Sequence, residues 1–263
     1  MIRRLVTLFL CVLTLTAKAD VPKIRVAVAA NFKTVLQSLA DQYTRQFVDK
    51  EKKPNSEPPE ILVSSASSGV LYNQITQGAP FDLFLSADTR RPEMLEKEKR
   101  VVEGSRQPYA YGCLVLWTPS ADQPLTINDL KDWKGRLAIA NPATAPYGQA
   151  AQQVFEKLGL WDTFQPRLVR GSNIQQTWQF VESGAAPTGM VAWSQLVDRQ
   201  GAKVSFIPAN LYQPIRQELV VLKQGGETTL AKQFAEFILS ESSQKYIESH
   251  GYSHLKSSSR GKG

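Results

Sequence analysis

Four short turns carry the residues in this chain best suited to chemistry. They are Ala30-Asn31-Phe32, Ala66-Ser67-Ser68-Gly69, Ala145-Pro146-Tyr147-Gly148 and Gly171-Ser172-Asn173-Ile174. Each opens a run with helical spacing, and none supplies a cation. The first two follow strand-like runs and the other two follow short loops. A helix start leaves backbone N–H groups unpaired and carries about half a positive charge from its aligned peptide dipoles. Several such starts aimed at one point make an anion site without Lys or Arg. The chemistry implied is capture of a small oxyanion, read by hydrogen-bond count and cavity size.

Each of these residues also has a plainer role. Asn31 and Ser68 are common helix caps. Tyr147 suits a core, and Ile174 is an apolar residue entering a helix. A serine nucleophile at Ser68 would make the chain an exported hydrolase. No Gly-x-Ser-x-Gly elbow surrounds it, and the sequence has only two histidines, both near the C-terminus. The same scarcity argues against a metal site or a histidine-based triad.

The elements that must position the turns alternate along the chain. Strands are read over 24–29, 61–65, 82–86, 109–118, 137–140, 189–193, 203–207 and 218–222. Helices are read over 32–48, 69–77, 92–99, 147–158, 174–183, 194–199, 228–239 and 242–249. Gly78, Gly159 and Gly184 are read as helix stops. Val35, Leu36, Leu39, Tyr43 and Phe47 fall near helical spacing, with Asn31 as the expected cap. The charged, proline-rich stretch 50–59 reads as a loop. Alternation of this kind predicts mostly parallel sheets covered by helices. The mature length allows one large domain or two of ordinary size, and the reading shifts after Gly104. Asp82 and Asp88 are expected to cap and to meet solvent.

The N-terminus reads as a secretory signal. Arg3 and Arg4 precede an apolar run, Leu5 to Thr16, too short to span a bilayer. Ala17-Lys18-Ala19 then gives a cleavage pattern before Asp20. Cleavage after Ala19 lowers Lys plus Arg from 31 to 28, against 24 Asp plus Glu. The remaining basic residues are scattered, with Lys256, Arg260 and Lys262 at the C-terminal end, which excludes a nucleic-acid footprint. Cys11 leaves with the signal. Cys113 remains without a partner, so no disulfide holds the exported fold, and it reads as a small hydrophobe in an apolar strand. Residues 257–263 read as a flexible tail.

Several motifs together resemble one family. Val26-Ala27-Val28-Ala29-Ala30-Asn31-Phe32, Ser64-Ser65-Ala66-Ser67-Ser68-Gly69 and Asn141-Pro142 with Pro146-Tyr147-Gly148 resemble the periplasmic molybdate-binding proteins of ABC transporters. The most specific piece is Gly78-Ala79-Pro80-Phe81-Asp82-Leu83-Phe84-Leu85-Ser86-Ala87-Asp88. The likeness runs in order from about Lys23 to Tyr252.

The resemblance implies an α/β, two-lobed type II periplasmic binding protein fold, each lobe a mixed, mostly parallel sheet flanked by helices, with the ligand cleft between. Lobe one would be 20–105 plus 211–256, and lobe two 106–210. It implies no enzyme and no cofactor. Instead the chain would be a periplasmic, monomeric binding component that takes molybdate or tungstate to a membrane permease and its cytoplasmic ATPase. Asn31, Ser68, Tyr147 and Ile174 would hold the oxyanion, the last two through backbone N–H, with molybdenum bound only as molybdate. Some members add a tyrosine hydroxyl after the Gly-x-Val strand. Here Ala192 stands there, so Asn31 would supply the missing donor. The alternative is the same fold holding sulfate, phosphate or a small organic anion. Arg170 would shape the field at the rim.

Overall fold

The computed structural model describes residues 21–51 and 57–253. The signal segment, its cleavage point after Ala19, the tail over 257–263 and part of the 50–59 loop lie outside the described residues.

The described residues build two five-stranded sheets. The first has the order β2-β1-β3-β10-β4, with β1 Lys23–Ala29, β2 Glu60–Ala66, β3 Leu83–Ser86, β4 Gln107–Gly112 and β10 Ile215–Val221. The second has the order β7-β6-β8-β5-β9, with β5 Leu114–Trp117, β6 Leu137–Ala140, β7 Leu168–Gly171, β8 Gly189–Ala192 and β9 Val204–Phe206. In each sheet one strand runs against the other four: β10 in the first and β5 in the second.

The central strands are apolar on both faces because both faces are covered. Residues Leu83–Ser86, Leu114–Trp117, Leu137–Ala140 and Gly189–Ala192 are all buried. Helices α1 (Lys33–Glu51), α7 (Thr228–Leu239) and α8 (Glu241–Ser249) pack Leu36, Phe234 and Ile247 on one face of the first sheet. Helices α2 (Ser68–Thr76) and α3 (Arg90–Lys97) put Leu71 and Leu95 on its other face. The second sheet is covered by α4 (Pro146–Lys157) and α5 (Trp161–Phe164) on one side and α6 (Ile174–Glu182) on the other. Burying side chains of this size contributes roughly 1.5–3 kcal/mol each, which replaces any need for a disulfide. Helices α4 and α6 stop where Gly159 and Gly184 adopt φ of 68° and 75°, a conformation that costs glycine nothing.

Several expectations change. The strand read over 109–118 is two strands in different sheets, β4 and β5, parted at Cys113. Cys113 is a half-buried link residue and not part of a strand. The stretch 194–199 holds only a 3-10 turn at Trp193–Gln195. The fourth turn follows a strand, β7, and not a loop. Asp82 is fully buried and accepts the N–H groups of Arg25 at 2.6 Å and Glu227 at 2.9 Å, tying β1 to the approach of α7. Asp88 accepts the Arg91 N–H at 3.0 Å and pairs with the Arg91 guanidinium. No helix among the described residues is long and apolar enough to cross a membrane.

Candidate functional site

The four turns meet. Asn31, Ser68, Tyr147 and Ile174 all line one small cavity between the sheets, together with Ser67 and Asn173. Its free space is about 10 Å³, room for roughly one water-sized sphere. Among the described residues, its wall contains no Lys, Arg, Asp, Glu or His. The Arg91 guanidinium packs beside Gly69 and is paired with Asp88. Arg170 is exposed on β7 and outside the wall. Among the described residues, no group of His, Cys, Asp and Glu could hold a metal ion.

On the first lobe, Ser67 is the N-cap of α2, with extended φ −67° and ψ 150°. Its side chain makes no capping bond, and its buried Oγ has no partner among the described residues. Ser68 sits one residue inside the helix, so the cap position read for it is held by Ser67, and neither serine side chain caps α2. Its Oγ accepts the N–H of Ala87 at 2.9 Å, leaving the hydroxyl proton free to donate. The next N–H, from Gly69, donates to the Thr144 carbonyl of the other lobe at 2.9 Å. A methyl at position 69 would stand 2.8 Å from that carbonyl oxygen, so glycine is what lets the lobes touch.

Asn31 does not cap its helix. A 3-10 turn at Ala30–Phe32 precedes α1, and Ala29 takes the cap position without a side-chain bond. The Asn31 amide instead reaches across to Gln217 Oε1 at 2.9 Å and Tyr252 Oη at 3.3 Å. Tyr252 in turn donates to the Asn31 carbonyl at 2.7 Å, and Tyr109 donates to Gln217 Oε1 at 2.8 Å. Burial pushes the Tyr109, Tyr147 and Tyr252 hydroxyls above the usual phenol range, so all three stay neutral.

On the second lobe the donors are main-chain. Pro146 opens α4 and has no N–H, so the first one offered is that of Tyr147. The Tyr147 side chain is buried behind it, its hydroxyl without a partner among the described residues. Asn173 caps α6 by accepting the Gln176 N–H at 3.0 Å, which leaves the Ile174 N–H at the helix start. Ala192 is fully buried and does not line the cavity. Gln195 accepts the Ala192 N–H at 3.0 Å and donates to the Ile174 carbonyl at 3.2 Å, fixing the start of α6.

Sequence reasoning missed Ser67, Gln195, Gln217 and Tyr252. Ser67 adjoins a chosen serine, and a one-residue shift in the helix start decides between them. Nothing local marks the other three.

A two-lobed α/β chain with a cleft of this kind defines a class, the exported binding proteins. The chain belongs to the bacterial extracellular solute-binding proteins, whose family model matches residues 24–253. It is 39% identical to the molybdate-binding protein ModA of Rhodobacter capsulatus, covering 92% of each chain. It is 38% identical to ModA of Azotobacter vinelandii, covering 90% of this chain and 92% of that one. The solved structure of the Azotobacter vinelandii periplasmic molybdate-binding protein superposes with a TM-score of 0.78 and 34% identity, over 88% of this chain and 98% of the other. The family read from the motifs is therefore the right one. A sulfate-binding protein from Mycobacterium tuberculosis matches at 13% identity and TM-score 0.68, which speaks for the fold alone.

Proposed function

We propose that this chain is the binding component of an ABC importer and that its oxyanion is molybdate, with tungstate also accepted. Asn31, Ser67 and Ser68 from the first lobe and the N–H groups of Tyr147 and Ile174 from the second hold it. The observation that carries the reading is the convergence of four helix starts on one cavity without an ionised residue in its wall. An anion sealed there loses its water, and fixed N–H and O–H dipoles replace it. Neutral donors also permit release, since no buried cation is left behind. Donors held at fixed spacing favour the larger oxyanion, because sulfate is too small to reach all of them at once. The relatives' names support the cargo; on our reading the protein is exported, mature from Asp20 and monomeric, and hands molybdate to a permease with its ATPase. The lobes follow the two sheets, so the division read at 105/106 moves to Cys113: β4 over 107–112 and β10 over 215–221 go with lobe one, and β5 to β9 over 114–206 with lobe two.

The test is a thermal-shift panel. Micromolar molybdate and tungstate should raise the melting temperature, because a ligand bound only by the native state adds RT ln(1 + [L]/Kd). Sulfate and phosphate should do little even in large excess. An equal shift with sulfate sinks the selectivity reading.

A further inference from the structure

Two residues of the cavity wall are held from behind by short-range partners. The Ala87 N–H donates to Ser68 Oγ at 2.9 Å, and Gln195 donates to the Ile174 carbonyl at 3.2 Å. Asn31 stands in a 3-10 turn whose cap residue, Ala29, makes no side-chain bond. Its main chain is held from the other end of the sequence. Tyr252 Oη donates to the Asn31 carbonyl at 2.7 Å, across 221 residues. The direction of that bond is fixed by chemistry, because a carbonyl can only accept. Burial keeps the phenol protonated, so the donor persists. The Tyr252 ring also meets the next side chain, Phe32, edge-on with centroids 5.3 Å apart. One side chain therefore grips two consecutive residues of the turn.

A peptide unit is planar, so fixing the Asn31 carbonyl also fixes the Phe32 N–H, which points the opposite way. Asn31 lines the cavity, whereas Tyr252 stands outside its wall. The bond thus draws the negative end of that peptide toward a residue behind the wall. A carbonyl turned inward would repel the charge that the helix starts attract.

Tyr252 is itself braced by both lobes. On the first, the Ser253 N–H donates to the Tyr111 carbonyl of β4 at 3.0 Å. On the second, Gly251 seats against Trp193 and Ser194. Its φ is 86°, and a methyl there would come within 2.9 Å of Trp193 Cδ1 and 3.0 Å of Ser194 Cα. The turn 251–253 therefore sits at the crossing between the lobes with its side chain on a residue of the cavity wall. The brace is complete when the lobes are together, which is the state that retains an ion.

We propose that Tyr252 is a positioning residue of the oxyanion site: seated against both lobes, it holds the Asn31–Phe32 peptide in the attitude that retains the ion. This rests on the proposed oxyanion function and deepens it. Tyr252 acts through Asn31 and not by touching the ion.

Tyr252→Phe tests it, since the variant loses the hydroxyl and keeps the ring on Phe32. Molybdate affinity by calorimetry should fall roughly 3- to 10-fold. In stopped-flow the loss should lie in faster release, with association within about twofold of the parent. Thr188→Val is the control. It also takes a buried hydroxyl from a carbonyl, that of Trp117 at 2.9 Å, away from the cavity wall. It should lose stability and still bind molybdate as the parent does. In the parent, exchange of the Tyr252 hydroxyl proton with water, followed by NMR, should slow when molybdate is added. That measurement needs no variant. Parental affinity in Tyr252→Phe, an equal loss in Thr188→Val, a loss carried by slower association, or exchange unchanged by molybdate overturns the inference while leaving the site. Failure of the parent to bind molybdate overturns this inference and the function together.

Discussion

The two walls of the cavity are made differently. The first lobe offers side chains: the Asn31 amide and the hydroxyls of Ser67 and Ser68. The second offers main chain at Tyr147 and Ile174, two residues with nothing chemical in common. Backbone donors are set by where a helix begins, and almost any residue serves. Side-chain donors are set by residue type, and another polar group there changes what is bound. Discrimination between oxyanions should therefore be adjustable on the first wall and nearly fixed on the second.

The hardest blow to that contrast is Ile174→Pro, which deletes one N–H. Asn173 before it is extended, φ −153° and ψ 176°, as a residue preceding proline must be, and proline is tolerated at a helix's first position. Affinity for molybdate should drop roughly 10- to 100-fold, the worth of a hydrogen bond to a charged group. Ile174→Val, which keeps the N–H, should bind within about twofold of the parent. If both variants bind alike in calorimetry, the second wall does not use its backbone.

Gly69→Ala strikes the seam between the walls. Its methyl meets the Thr144 carbonyl oxygen at 2.8 Å and Cα at 3.0 Å on the opposite lobe. About a tenfold loss of affinity is expected from overpacking of this kind, with a larger radius of gyration for the liganded protein in X-ray scattering. An unchanged radius and affinity would show that the seam yields easily.

The two serines sharpen the description of the first wall. Ser67→Ala should cost about 1–2 kcal/mol of binding and little stability, because its hydroxyl has no partner among the described residues. Ser68→Ala should in addition cost about 1–3 kcal/mol of stability, since the buried Ala87 N–H loses its acceptor. Calorimetry and urea unfolding on both variants separate the two roles. Reversed results would move the ligand from one hydroxyl to the other.

The smallest effect lies off the site, beside Gln217. Burial lifts the Glu218 carboxyl above its ordinary value of 4.5, against the pull of Arg106 and Arg216. The native state keeps a proton there that the unfolded chain has lost. Stability therefore falls as pH rises from about 4.5 through the raised value. Glu218→Gln should flatten that part of the melting-temperature profile while leaving molybdate binding alone. A steeper profile would reverse the assignment.

Much of this architecture could be read from residue order, for stated reasons. Strands buried on both faces are unbroken apolar runs, and helices such as 228–239 show their period plainly. The strand β7 escaped because Leu168, Val169 and Arg170 are only partly buried or exposed, and four residues give no pattern. Residues 109–118 looked like one strand because apolar character continues through Cys113, and nothing in a strand's period says which sheet it joins. Asn31 was legible as a polar group at a helix start. Its partner on β10 is 186 residues away, beyond any local signal. Asp82 misled for the same reason: the N–H groups it accepts come from Arg25 and Glu227, at opposite ends of the chain.

The single residue between β4 and β5 has a mechanical consequence. The chain leaves the first sheet at Gly112 and enters the second at Leu114, and it returns between Phe206 and Ile215. Cys113 is pinned on the far side by its carbonyl, which accepts the Trp193 N–H at 2.9 Å. A link that short allows rotation about itself and almost no sliding. Opening the cleft is then close to a one-coordinate motion, with few backbone torsions to freeze when an ion is trapped. Capture in such a hinge sacrifices little chain entropy, so more of the hydrogen bonding at the helix starts remains as affinity.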